Sequence, residues 1–174
     1  MSYSQVLGVV PGRRPTVLLE LRNGHGWSPS IWKRLLTIHG GSGAIYYDGP
    51  ALDRLWQAIE TLPEWQQIPL VLTFDTGVIP FQVFDAAADA LDEFERRLPA
   101  NPDHVNHVPA VAALLRTQPE VPLLGVYGTS VSNNPFDPWN FDADEPGSGI
   151  PLSEMYVLEQ HRAMVAQMAT PPCT

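Results

Sequence analysis

The sequence has one cysteine, few cations and no long apolar run. A single thiol, Cys173, cannot close an internal disulfide, so no oxidising compartment leaves a mark on the chain. Its place beside a chain end also argues against a catalytic nucleophile. No window approaches the ~18 apolar residues of a membrane span. Residues 1–10 lack a basic stretch followed by an apolar run, so no secretory leader is expected. Lys and Arg total 10 against 19 Asp and Glu, for a net charge of −9 and a pI near 4.8. That field repels nucleic-acid phosphates and anionic membrane surfaces. Nucleic acid and membrane are therefore not expected partners, and a basic protein is. The expected location is the cytoplasm.

What is present suits a packed domain. The chain has 174 residues, 44% of them apolar and only 17% charged. That length and balance support one core without metal or disulfide. No internal repeat and no domain linker are visible, so residues 1–174 read as a single domain.

Hydrophobic period and turn residues divide the chain. Tyr3–Val10 and Thr16–Arg22 read as two strands of a hairpin across Pro11-Gly12-Arg13-Arg14-Pro15. Ser28-Pro29 looks like a helix start with Ser28 as the cap, and Gly40-Gly41 like its end. A second helix is expected from Pro50 to about Leu62, with Leu52, Leu55, Trp56 and Ile59 inward. The continuous apolar run Ile68–Phe74 reads as a central strand buried on both faces. After Pro80 comes the clearest helix, with Phe81, Phe84, Ala88, Leu91 and Leu98 on one face. Asp85, Asp89 and Asp92 share the neighbouring face, and Glu95 falls inside the apolar arc without explanation. Pro99 to Asp103 reads as a linker, Pro109–Arg116 as a short helix, and Val121–Val131 as another buried strand. An irregular loop then runs over about 132–151, with Phe136, Trp139 and Phe141 among Asn, Asp, Pro and Gly. Ser153–Met168 reads as a closing helix. The expected class is α/β or α+β: one mixed sheet of about four to five strands with helices packed on it.

Several motifs point toward chemistry, and local context weighs on each. His39-Gly40-Gly41 resembles an esterase oxyanion loop, and Gly128-Thr129-Ser130-Val131-Ser132 resembles a nucleophile elbow. Asp142 or Asp144 and then His161 complete the Ser, Asp, His chain order. The elbow, however, needs a helix directly after its serine. Here Asn133, Asn134, Pro135 and Pro138 follow, and the His39 loop comes after a helix rather than a strand. His104 and His107, with Asp103 alongside, have a metal-ligand spacing, but prolines flank them and no second ligand pair accompanies them. Gly40-Gly41-Ser42-Gly43 lacks the Lys and the preceding strand of a phosphate loop. Carboxylates suited to acid–base work exist at Asp48, Asp75 and the loop, yet nothing selects a pair. No metal and no cofactor is expected.

The acidic features point instead to a partner protein. Asp137, Asp142, Asp144 and Glu145 line the long loop around Trp139, and Asp85, Asp89 and Asp92 line a helix. Aromatic anchors ringed by acids suit capture of a basic surface.

Three stretches carry a resemblance: Leu72-Thr73-Phe74-Asp75, Val105-Asn106-His107-Val108-Pro109-Ala110, and Gly128 through Phe136. With its size and acidity, the chain resembles the small immunity proteins encoded beside bacterial antagonistic toxins, including those of type VI secretion. The resemblance implies a cytosolic protein that occludes a toxin's active site or basic groove. No individual binding residue carries over. The two alternatives are a small serine hydrolase using Ser130 and His161, and an accessory or structural domain of a bacterial or phage assembly.

Overall fold

The computed structural model describes residues 3–41, 49–128, 134–138 and 147–168. Its first two strands are those expected: β1, Tyr3–Val9, pairs antiparallel with β2, Thr16–Arg22. At the far end of β2, Asn23 adopts a left-handed φ of 65°, which asparagine tolerates better than most residues.

Helix α1 spans Ser28–Ile38. Ser28 opens it as a helical residue and not as the cap; Trp27 takes the cap position, and no side chain caps the first turn. Pro29 sits where its missing N–H costs nothing. Helix α2, Gly49–Gln57, continues through a 3₁₀ turn at Ile59–Thr61 and buries Leu55 and Ile59, with Leu52 and Trp56 partly covered.

The run at Ile68–Phe74 is not a strand. It is the end of a helix, α3, Glu64–Val71, followed by a turn. Pro63 and Glu64 supply an extended cap and a first-turn acid. The buried carbonyls at its C-terminus find side-chain donors. Trp27 Nε1 donates to Leu72 O at 3.1 Å, and the Thr73 hydroxyl donates to Leu70 O at 2.8 Å. Gly77 then permits a close return of the chain: a Cβ there would lie 2.0 Å from Val71 O.

The third strand comes later and is short: β3, Val78–Pro80. A 3₁₀ turn leads into α4, Phe84–Arg97, then α5, Val108–Arg116, and β4, Leu123–Gly128. Helix α4 buries Phe84, Ala87, Ala88, Ala90, Leu91 and Phe94. Phe81 was expected on that inward face but is 39% exposed, because the helix proper begins three residues after it.

The described strands form one sheet in the order β2-β1-β4-β3, antiparallel throughout. Among the described residues a parallel contact occurs only as the isolated bridge between Gly77 and Tyr156. The fold is α+β. Alternation along the strands sorts side chains onto two faces. Val6, Leu21, Ile79, Leu124 and Val126 face helices α1–α5 in the larger core cluster. Leu7, Val9, Val78 and Leu123 face the opposite way, toward Phe136, Ile150, Met155, Val157 and Val165.

That second cover is mostly irregular. Ser153–Met168 is not one helix. A 3₁₀ turn at Leu152–Glu154 gives way to extended chain that bridges to Gly77 at Tyr156. A second 3₁₀ turn at Glu159–His161 precedes the short α6, Arg162–Met168. Phe136 seats on Gly125 of β4, where a Cβ would meet Phe136 Cζ at 2.5 Å. Gly149, at φ +88°, allows the chain to pass the hairpin loop, with Gly12 N donating to Ile150 O at 2.8 Å.

Candidate functional site

The helix acids stand as the sequence places them. Asp85, Asp89 and Asp92 are all exposed along α4. Like charges at this spacing repel, and the end of α5 and the residues just after it supply the relief. Arg116 Nη2 donates to Asp89 at 2.8 Å and to Asp92 at 2.7 Å, and Gln118 Nε2 donates to Asp85 at 2.7 Å. The result is an ordered acidic ridge with one cation set into it.

Asp137 is placed differently. Its side chain is only 9% exposed, accepting from Arg14 Nε at 2.9 Å and from Gly149 N at 3.3 Å. It clamps the loop to the β1–β2 hairpin. Trp139, Asp142, Asp144 and Glu145 lie outside the described residues. Asp137 and the α4 ridge belong to opposite faces of the sheet, since Phe136 packs with one cluster and α4 with the other. Structure thus separates Asp137 from the α4 acids, which sequence reasoning had combined.

For the hydrolase motifs, Ser130, Asp142 and Asp144 lie outside the described residues. His39 caps α1 and its Nε2 donates to Gln66 Oε1 at 2.7 Å. His161 is 3% exposed, and its Nδ1 has no hydrogen-bond partner among the described residues. Burial holds its pKa below the ordinary value of 6.5, although Glu64 and Glu60 pull it up. Nearby, Tyr156 donates to Glu60 at 2.8 Å, and burial followed by that bond pushes its phenol well above the usual range.

The histidine pair is also divided. His107 Nε2 lies 2.7 Å from Arg22 O and 3.1 Å from Asn23 O, so it donates to backbone at the end of β2. His104 is exposed. Among the described residues no three His, Cys, Asp or Glu side chains gather as metal ligands.

Sequence reasoning missed a cleft of about 640 Å³ between α1 and the connection from α4 to α5. Lys33, Arg34, Arg97, His25 and His104 line it, with apolar walls from Pro29, Leu98, Pro99 and Ala100. A signal was present: Lys33 is the sole lysine of an acidic chain. Arg34 also explains Glu95. The guanidinium lies over the Phe94 ring and donates through Nη1 to Glu95 at 2.7 Å. Burial pushes the Glu95 carboxyl up, but bonds from Ala100 N–H, Arg34 and Asn106 outweigh it, and its pKa falls below the ordinary 4.5.

No family model matches the chain, and no curated protein or solved structure matches it significantly. No described helix is long and apolar enough to cross a membrane.

Proposed function

We propose that this chain is a protein-binding domain that neutralises a partner enzyme by occlusion, as the immunity proteins it resembles neutralise toxins. The observation that supports this reading is the α4–α5 ridge, where Asp85, Asp89 and Asp92 stay exposed while Arg116 and Gln118 fix their positions. Ordered carboxylates on a chain of net charge −9 steer a basic surface during encounter and lose little side-chain freedom on docking. Asp142, Asp144 and Glu145, with Trp139, extend the same chemistry in the loop, whereas Asp137 serves the fold. The partner is a basic protein, a toxin enzyme in this reading, and the site of action is the cytoplasm.

The test is functional. The protein is co-expressed with the product of the adjacent gene, and growth is followed. Rescue of growth is expected, together with inhibition of the purified partner enzyme. Replacing Asp85, Asp89 and Asp92 by Lys should then slow association and flatten its salt dependence. Unchanged association kinetics would remove the steering role of the ridge, and absence of rescue would remove the immunity reading.

A second reading, a small serine hydrolase, draws on the buried His161, whose Nδ1 has no partner among the described residues. Hydrolysis of a chromogenic ester that disappears in Ser130→Ala would favour it. Activity that survives that change would exclude Ser130 as the nucleophile.

A further inference from the structure

We propose that protonation of His161 releases the segment Glu159–Met168 from the body of the fold, making it an acid-sensitive flap. The segment comprises the 3₁₀ turn Glu159–His161 and helix α6. It pairs with no described strand, since the bridge to Gly77 lies ahead of it at Tyr156.

Its attachment is light. Val165, 3% exposed, packs beneath the sheet, and Met164 is partly covered by the helical core. Crevices of about 340 and 320 Å³ lie against α6, and Val165 lines both. The helix therefore rests on the fold without filling the space around it. Its polar ties are the Glu159 N–H, which donates to both oxygens of Glu60 at 3.2 Å, and Gln160 Nε2, which donates to Gln67 Oε1 at 3.2 Å.

His161 is the group in this segment that acid can turn against docking. Its Nδ1 is buried and has no hydrogen-bond partner among the described residues. An imidazolium in that place would hold a charged N–H without an acceptor, which costs far more than the same group in water. Burial accordingly holds the docked ring below its ordinary 6.5. The released ring is hydrated and ionises at the ordinary value. Released chain thus binds the proton more tightly, and acid shifts the balance toward it. Docking is unaffected above that value, and release grows as pH falls from it toward the lower pKa of the docked ring.

The neighbouring charges do not reverse the sign. Glu64 and Glu60 pull the ring toward its charged form, but less than burial pushes against it. Glu64 is exposed in the first turn of α3, where solvent weakens its field. Glu60 already accepts from the Tyr156 hydroxyl and from the Glu159 N–H. On the segment itself, Glu159 and Arg162 flank the ring and pair with each other at 2.6 Å, so their charges cancel.

The test is saturation-transfer NMR on the full chain, isotope-labelled at methionine methyls and tryptophan indoles, which reads minor populations. The Met164 methyl is assigned with Met164→Leu. Its released population should rise severalfold from about pH 7 to about pH 5.5, and by no more than about tenfold per pH unit, since one proton is linked. The Trp27 indole N–H, bonded to Leu72 O in the core, should keep its native position throughout. His161→Gln, which has nothing to titrate in this range, should abolish the rise. Glu64→Gln, an exposed change that removes a carboxylate favouring the charged ring, should enlarge it. A Met164 signal that ignores pH, or loss of the Trp27 signal together with it, would overturn the proposal. So would a rise that survives in His161→Gln or shrinks in Glu64→Gln.

Discussion

One face of the sheet is covered by helices α1–α5, and the other by chain with little repeating structure. The helical side spreads its burial over many apolar residues of similar kind. Leu35, Leu91, Phe94, Val111 and Leu115 recur at helical spacing, and each is close to fully buried. The irregular side depends on few contacts that only one residue type can make. Phe136 on Gly125, Gly149 at positive φ, and Arg14 with Asp137 hold it to the sheet. Regular cover tolerates substitution because its neighbours can repack. Irregular cover concentrates its stability at points.

That contrast is open to attack, most strongly at Phe136. Phe136→Ala should cost about 4 kcal/mol in urea unfolding, comparable with a large core truncation on the helical side. Gly125→Ala should cost about 2 kcal/mol by overpacking the same contact. The double variant should be less than the sum, since both changes act on one contact. Full additivity would show that Phe136 is not the anchor.

The helical side has one pointlike feature of its own, the Arg34–Glu95 pair. Arg34→Met should cost about 2–3 kcal/mol, because Glu95 and two backbone carbonyls lose their donor. The pair also predicts a pH dependence. Glu95 titrates below its ordinary 4.5 in the folded chain, so its contribution is complete above that value. It is lost as pH falls through the lowered folded pKa. Glu95→Gln should flatten the acid limb of the stability profile there.

His161 belongs to the irregular side and adds an acid slope of its own. Burial keeps the imidazole neutral, so its folded pKa is below 6.5 and stability declines as pH drops from that value. His161→Leu should remove this slope and change stability at neutral pH by no more than about 1 kcal/mol, since the buried nitrogen without a partner goes with it. A slope that persists in His161→Leu would assign it to another group. The smallest effect is expected on the ridge: Asp89→Asn should alter stability by about 0.5 kcal/mol or less, as exposed ion pairs contribute little.

The same division governs what the sequence made legible. On the helical side, period and punctuation located α1, α2, α4 and α5 within a few residues. The failure there was Ile68–Phe74, because a short continuous apolar run suits a buried strand and a buried helix equally. Pro63-Glu64 ahead of it was the helix signal, and Pro69 within it argued against a central strand. On the irregular side, pattern has little to read. The extended chain at Met155–Leu158 interrupts what looks like one helix, and only the return of Gly77 explains why. The candidate site divided likewise. Exposure of Asp85, Asp89 and Asp92 followed from helical geometry. The inward turn of Asp137 depended on Arg14, distant in sequence, and the cleft depended on residues from segments far apart in the chain.

The bridge at Tyr156 has a consequence in time. Residues of β1 are hydrogen-bonded to strands on both flanks, whereas the closing segment joins the sheet at one isolated bridge beside β3. Its amides can meet solvent through local detachment, while those of β1 must wait for the whole sheet to open. Hydrogen exchange would therefore divide the chain into a slow centre and a fast outer strap, with the strap carrying the Glu60–Tyr156 contact and His161 away together.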